Sequence, residues 1–218
     1  IVSNLAGSVT SAVAPVSVKA LPANRTVVAW GRNSAGQGMP LPNSTNVVAI
    51  AAASLHNLAL REDGTLIGWG RDNGYVPPGV SNVVAVAAGE NLSLALKVDG
   101  TVAAWGDFRY IVPEGLSNVV AITAYAGLKN DGTLIPWSGT GTLPIPGLSN
   151  IVAISSGYTG YALKADGTLV DLNGAAPVAG LTNIVTFTRG FVVRGDGTFV
   201  NWNSGYGLEN TPPGLTNV

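Results

Sequence analysis

The stretch that decides the fold runs over residues 82–106: Asn82-Val83-Val84-Ala85-Val86-Ala87-Ala88-Gly89, then Glu90-Asn91-Leu92-Ser93, then Leu94-Ala95-Leu96-Lys97-Val98-Asp99-Gly100-Thr101-Val102-Ala103-Ala104-Trp105-Gly106. Its opening run, Val83 to Ala88, is apolar, rich in β-branched residues and closed by Gly89, the pattern of a short buried strand. Leu94 to Lys97 and Val102 to Trp105 are two more strand-like runs, separated by Asp99-Gly100. An Asp-Gly pair suits a tight hairpin, and the turn expected here is type I′, in which both central residues have positive φ.

The pattern recurs along the chain. Asn-Val-Val or Asn-Ile-Val starts at Asn46, Asn82, Asn118, Asn150 and Asn183, at intervals of 36, 36, 32 and 33 residues, and the next Asn-Val, Asn217-Val218, follows after 34. Asp-Gly-Thr recurs at Asp63, Asp99, Asp131, Asp166 and Asp196, with Asn24-Arg25-Thr26 in its place in the first copy. A third marker is Trp30-Gly31, Trp69-Gly70 and Trp105-Gly106, weakening to Trp137-Ser138, Leu172-Asn173 and Trp202-Asn203. Proline-bearing segments such as Pro77-Pro78-Gly79 and Pro113-Glu114-Gly115 precede the next Asn; lacking an N–H, they read as a connection or an edge strand. The repeats span about 1–45, 46–81, 82–117, 118–149, 150–182 and 183–216, the stretch from Ser3 to Ala20 being the least regular. The chain starts and stops at one phase of the repeat, so we expect it to be part of a longer polypeptide. Three or four short strands per copy describe an antiparallel blade that buries its faces only against other blades, an all-β architecture.

Composition narrows the partners. The 218 residues carry 11 Lys and Arg against 12 Asp and Glu, and only 11% are charged, so Asn, Ser, Thr and Gly must build the surface. No basic run could neutralise a phosphate backbone or hold an anionic membrane, which argues against nucleic acid and membrane insertion. There is no cysteine, so thiol chemistry and Cys-type zinc sites are excluded. No stretch is long and apolar enough to span a membrane, and no charged n-region precedes an apolar one, so any signal peptide is expected to have been removed.

The run from Asn82 to Gly106 resembles the RCC1-type repeat, named after the regulator of chromosome condensation, and the resemblance extends from Asn24 to Val218. It implies a β-propeller of RCC1-like repeats, bacterial and secreted or surface-attached in type. Family propellers commonly have seven blades, so six repeats make either a six-bladed ring or part of a seven-bladed one. Known family activities include guanine-nucleotide exchange and, in a secreted bacterial relative, β-lactamase inhibition. Neither carries over by residue, since no basic tail or wedge and no matching loop motif is present.

The inventory of reactive groups is thin, and the expectation is that the protein is no enzyme and takes no metal or cofactor. The single histidine, His56, stands at the mouth of a strand where the next copy has Leu92, and reads as structural. Five of the acids are the turn aspartates, and the others form no repeating pair. Asp72-Asn73-Gly74 reads as a turn rather than a calcium loop, and Gly36-Gln37-Gly38 as loop glycines rather than a phosphate cradle. Trp30, Trp69, Trp105, Trp137 and Trp202 share one repeat phase and read as packing between blades rather than a sugar platform.

Function is then expected in the loops that differ between copies. The candidate binding residues are Arg71, Asp72, Tyr75, Phe108, Arg109, Tyr110, Tyr125, Tyr158 and Tyr206, because Tyr and Arg combine contact area with polar reach. Arg32, Asn33, Gln37, Leu55, Glu90 and Asn91 belong to the same loops. The reading is a non-catalytic module, extracellular or on a cell surface, that binds a protein or a glycan. The alternatives are a self-assembling structural subunit of a fibre, sheath or adhesive layer, and a secreted enzyme inhibitor.

Overall fold

Among the described residues, each of the five copies of the repeat from Asn46 onward closes on itself as one antiparallel sheet of three strands, hydrogen-bonded in sequence order. The computed structural model describes residues 26–29, 31, 33–71, 74–106, 112–137, 148–155, 160–172, 180–187 and 191–201, in two units, Ile1–Phe108 and Arg109–Val218. The first unit holds β1 (Val47–Ala52), β2 (His56–Arg61) and β3 (Leu66–Gly70), then β4 (Val83–Ala88), β5 (Leu92–Lys97) and β6 (Val102–Gly106). The second holds β7 (Val119–Ile122), β8 (Ala126–Lys129) and β9 (Leu134–Pro136), β10 (Ile151–Ser155), β11 (Tyr161–Lys164) and β12 (Leu169–Asp171), and β13 (Ile184–Phe187), β14 (Phe191–Arg194) and β15 (Phe199–Asn201). The strands expected within residues 82–106 are thus present, and so is their hairpin. The proline segment at Pro77 is a connection, turning with Val80 N–H donating to the Pro77 carbonyl. The stretch from Ser3 to Ala20, Asn24, Trp30 and Trp202 lie outside the described residues.

The middle strand of each described blade is paired on both edges, and where a neighbouring blade covers each face its side chains need not alternate. In β2 and β5 the first five residues are all buried. Within the first unit one blade packs on the next through Leu60, Val83 and Ala95, with Trp105 against them. The second unit repeats this with Leu128 and Leu134 on Ile151 and Ala162, and again with Leu163 and Leu169 on Ile184 and Val192. Trp69 is 5% exposed and Trp137 only 1%, so these two are core, while Trp105 is half-buried and packed against the core of its blade pair.

The Asp-Gly turn differs from the expected type I′. Arg61 N–H donates to Thr65 O and Gly64 N–H to Arg61 O, which makes a three-residue loop, a tight turn followed by Gly64 at φ +77°. Asp63 has no positive φ; its Oδ1 accepts from Thr65 N–H at 2.9 Å and from Thr65 Oγ1 at 2.6 Å. Aspartate is selected as an acceptor that ties the turn, and glycine supplies the left-handed residue of the bulge. The backbone N–H to Oδ1 bond recurs at Asp99, Asp131, Asp166 and Asp196.

The asparagine of the Asn-Val-Val marker acquires a physical reason in the same place. Asn46, Asn82, Asn118, Asn150 and Asn183 all have φ between 56° and 61°, a left-handed conformation that asparagine tolerates better than other side-chain-bearing residues. The kink lets each asparagine carbonyl accept from a turn amide of its own blade, as from Glu62 in the first and Val98 in the second. It also points the next amide at the neighbouring blade: Val83 N–H donates to Gly64 O at 3.1 Å, and Ile151 N–H to Gly132 O at 3.4 Å. A Cβ on Gly64 would come within 3.3 Å of that Val83 nitrogen. One residue later the ladder slips, leaving Val48, Val84, Val120, Val152 and Val185 at a bulge. The last four of these are exposed.

Replacing Asn82 by alanine should therefore destabilise the first unit by about 1 kcal/mol, the order of the left-handed penalty, whereas Asn82→Gly should be nearly neutral. Urea unfolding of the two variants beside the parent checks the difference.

Candidate binding surface

Every blade has two ends of opposite character. At the turn end the spacing is constant: a basic residue, then Asp two positions on, then Thr two beyond that. Arg61, Lys97, Lys129, Lys164 and Arg194 fill the basic position, so five of the chain's 11 cations and, with Glu62, six of its 12 anions occupy these turns. Most of these groups are held by their own turn or by the connection that enters their blade. Arg61 Nη2 donates to Asn43 O at 2.7 Å and Arg194 Nη2 to Gly180 O at 3.3 Å, stapling the incoming connection to the hairpin. Lys129 and Lys164 sit 3.9 and 3.8 Å from Asp131 and Asp166. Each turn aspartate is held below the usual carboxylate range, first by the threonine hydroxyl, then by its backbone N–H, with the basic neighbour adding to the effect.

At the loop end, where the first strand hands over to the second, both length and residues change. Fifteen positions separate Asn46 from Arg61 and Asn82 from Lys97, but only eleven separate Asn118 from Lys129 and Asn183 from Arg194. The first strand pair is closed by Ala53 N–H on His56 O, the second by Gly89 N–H on Leu92 O, the third by Thr123 N–H on Ala126 O. The third blade has lost two residues from each strand. Because the strand period is two, every remaining side chain keeps its face, and the late repeats shorten without disturbing the core.

The structure brings only part of the expected set into view. Arg71 and Tyr75 are exposed on a turn just past β3, Tyr75 by 69%. Its two flanks are fixed on the blade: Arg71 N–H donates to Leu55 O at 2.8 Å, Gly74 N–H donates to Arg71 O at 2.7 Å, and the Gly74 backbone lies so close on Gly68 that no Cβ fits there. Tyr125 is half-buried in the loop between β7 and β8, which Thr123 Oγ1 organises by accepting from the Tyr125 and Ala126 amides at 3.2 and 3.1 Å. Counted from the turn, Tyr125 occupies the repeat position of Asn57, a strand residue in the longer first blade. Asp72, Phe108, Arg109, Tyr110, Tyr158 and Tyr206 lie outside the described residues.

Gln37 is not a surface contact. It is 9% exposed, its backbone carbonyl accepts from Asn57 Nδ2 and Trp69 Nε1, both at 2.9 Å, and its side chain reaches Ser54 O and Ala35 N–H. It pins the loop after the first Trp-Gly marker onto the next blade, through contacts 20 and 32 residues away that no local pattern announces. His56 is fully buried, with Nε2 3.0 Å from Ser93 Oγ on the neighbouring blade. Burial lowers its pKa, and a weaker backbone interaction at Leu92 works the other way. Serine and histidine meet here as in a hydrolytic dyad, but Ser93 is also fully buried, which closes the pair to substrate. A groove of about 340 Å³ between Thr26–Ala29 and Pro40–Ser44 has no titratable side chain in its lining. No group of three His, Asp or Glu among the described residues could hold a metal ion, and no helix among them is long and apolar enough to cross a membrane.

Residues 47–75 match the family model of the regulator of chromosome condensation (RCC1) repeat. That segment carries an RCC1-type repeat, and the chain has the all-β fold of a β-propeller. Among solved structures it is similar to the CRINKLY WD40 ectodomain of the Arabidopsis thaliana receptor kinase ACR4, at 19% identity and TM-score 0.59 over 77% of this chain and 67% of that one. It is also similar to the ectodomain of the Physcomitrella patens receptor kinase CR4, at 20% identity and TM-score 0.57 over 75% and 51%. Human WBSCR16 follows at 18% identity and TM-score 0.50 over 65% and 55%. The chain thus spans about half to two thirds of the length of these structures. No curated protein sequence matches it.

The lowered aspartate pKa values set a pH response. A carboxylate whose folded pKa lies below its unfolded value stabilises fully above that unfolded value and stops doing so as the pH falls through the folded one. Thermal stability should therefore show an acid arm below the ordinary value of 3.8. Asp99→Asn with Asp131→Asn should shrink that arm in melts recorded from pH 5 to 2, and an unchanged arm would contradict the assignment.

Proposed function

We propose that this chain is a non-catalytic binding module whose loop ends engage a protein partner outside the cell or at its surface. The observation that carries the reading is the division of each blade: one end constant in spacing, the other variable in length and side chain. A scaffold that holds one end fixed while the other varies is suited to recognition. Arg71 and Tyr75 on their glycine-backed turn are pre-organised contact residues, which lowers the entropic cost of binding. A protein partner is favoured over a glycan because Trp69 and Trp137, the rings best suited to stack on a sugar, are spent in the core. The sparse charge and amide- and hydroxyl-rich surface support an extracellular setting.

Self-assembly into a structural layer is a second reading, favoured by Val84, Val120, Val152 and Val185, exposed at the same bulge position of their blades. A concentration-dependent mass in light scattering that Val152→Ser with Val185→Ser abolishes would move the assignment there.

Arg71→Ala with Tyr75→Ala should weaken capture of a partner from the native extracellular or surface fraction by about tenfold or more, as for interface anchors. Lys97→Ala with Lys129→Ala, at the turn ends, should leave it intact. Loss in the turn-end variant with retention in the loop-end variant would reverse the assignment of ends.

A further inference from the structure

We propose that His56 and Ser93 form a proton-operated latch that holds the loop ends of the first unit's two blades in register and releases them in mild acid. The proposal rests on the loop-end reading for its consequence, a partner held at neutral pH and let go on acidification.

The pair lies at the base of that surface. His56 is the first residue of β2, and its neighbour Leu55 supplies the carbonyl on which the Arg71 turn rests. Its own carbonyl closes the loop between β1 and β2 by accepting from Ala53 N–H at 2.9 Å. Ser93 follows Leu92, whose carbonyl closes the facing loop on Gly89. One side-chain contact at 3.0 Å, between residues 37 apart in sequence, therefore ties together the two loops and the turn.

The chemistry makes the contact conditional on protonation. Both side chains are fully buried, and His56 Nδ1 has no hydrogen-bond partner among the described residues. A neutral imidazole tolerates this with Nδ1 as the bare acceptor. The imidazolium carries a hydrogen on each nitrogen, so protonation places a charge in the core and a donor on Nδ1, and the backbone at Leu92 offsets only part of the cost of burying them. The loops can relieve that only by opening to water. Among the described residues no counter-charge contributes to the shift on the ring. The charged groups on the elements packed against the ring are Arg71 beyond β3, Glu90 in the loop before β5, Lys97 at the far end of β5 and Arg61 at the far end of β2. None of the four is among the causes of the shift on His56. Asp72 lies outside the described residues.

The sign follows from the burial. The folded state holds the imidazole proton less tightly than the unfolded chain, so the closed form is fully stable above the ordinary pKa of 6.5 and loses stability as the pH falls through the lower folded value. This response begins below 6.5, whereas that of the turn aspartates begins below 3.8.

Amide exchange followed by NMR, corrected to protection factors, tests the latch without any partner. In the parent protein, protection of the Ala53, Arg71 and Gly89 amides should fall severalfold between pH 7.5 and 5, while that of the Gly64 and Gly100 amides at the turn ends holds. His56→Leu, which installs the residue that stands fully buried at Leu92, should keep the three loop-end amides protected throughout. His56→Gln serves the same purpose with a side chain that does not titrate, should the leucine variant fail to fold. Flat protection in the parent, or an equal loss in the non-titrating variants, overturns the latch and leaves the binding reading standing. A pH-dependent loss of protection with no partner at any pH sustains the latch and removes the binding reading instead.

Discussion

At two of the blade junctions the packing of one blade on the next depends on one backbone hydrogen bond, from the first amide of a blade's opening strand to the glycine carbonyl of the hairpin turn before it. It is seen from Val83 to Gly64 and from Ile151 to Gly132. Three residue choices converge on it. Asparagine in the left-handed region aims the amide, glycine in the turn allows the approach, and aspartate bonded to threonine holds the turn in shape. Each is weak alone, but the bond fixes where a strand starts relative to its neighbour and so which apolar side chains meet across the blade faces.

With the turn end fixed, the rest of the blade can be cut without losing register. The third blade is shorter than the first by two residues in each strand, and the inward and outward faces survive because strand geometry has period two. Shortening changes what the loop end presents: Tyr125 stands in a loop where the first blade still has Asn57 in a paired strand. Sequence divergence is thus channelled to one end of the scaffold. The charges follow the same division. Most of the turn-end cations are engaged by carboxylates of their own turns or by carbonyls of the incoming connection, which leaves little for a partner to recognise there, whereas Arg71, Tyr75 and Glu90 stand exposed at the loop ends.

The repeat, its strands, the buried tryptophans and the turn role of the aspartates were legible in the sequence because each rests on local pattern. The turn type was not, since a glycine after aspartate fits a two-residue and a three-residue loop equally well. Asn46 and its counterparts could be aligned, but their reason is a backbone angle that apolar periodicity does not report. Gln37 and Ser93 were hidden for another reason: their partners lie 17 to 37 residues away. Gly127 is a similar case. It stands where the preceding repeat has Ala95, and a Cβ there would lie 2.5 Å from the Trp137 ring. Of the candidate site, Arg71, Tyr75 and Tyr125 could be placed. Arg71 and Tyr75 share a turn for a reason visible only in three dimensions, the packing of Gly74 on Gly68.

The most direct test of the blade-to-blade bond is amide exchange at Val83 and Ile151. The account predicts that both exchange only with opening of the blade pair, as slowly as the central-strand amides of Leu58 and Leu163, and that Gly64→Ala releases Val83 while leaving Ile151 protected. Exchange of Val83 and Ile151 in the parent as fast as that of an exposed loop amide would contradict it.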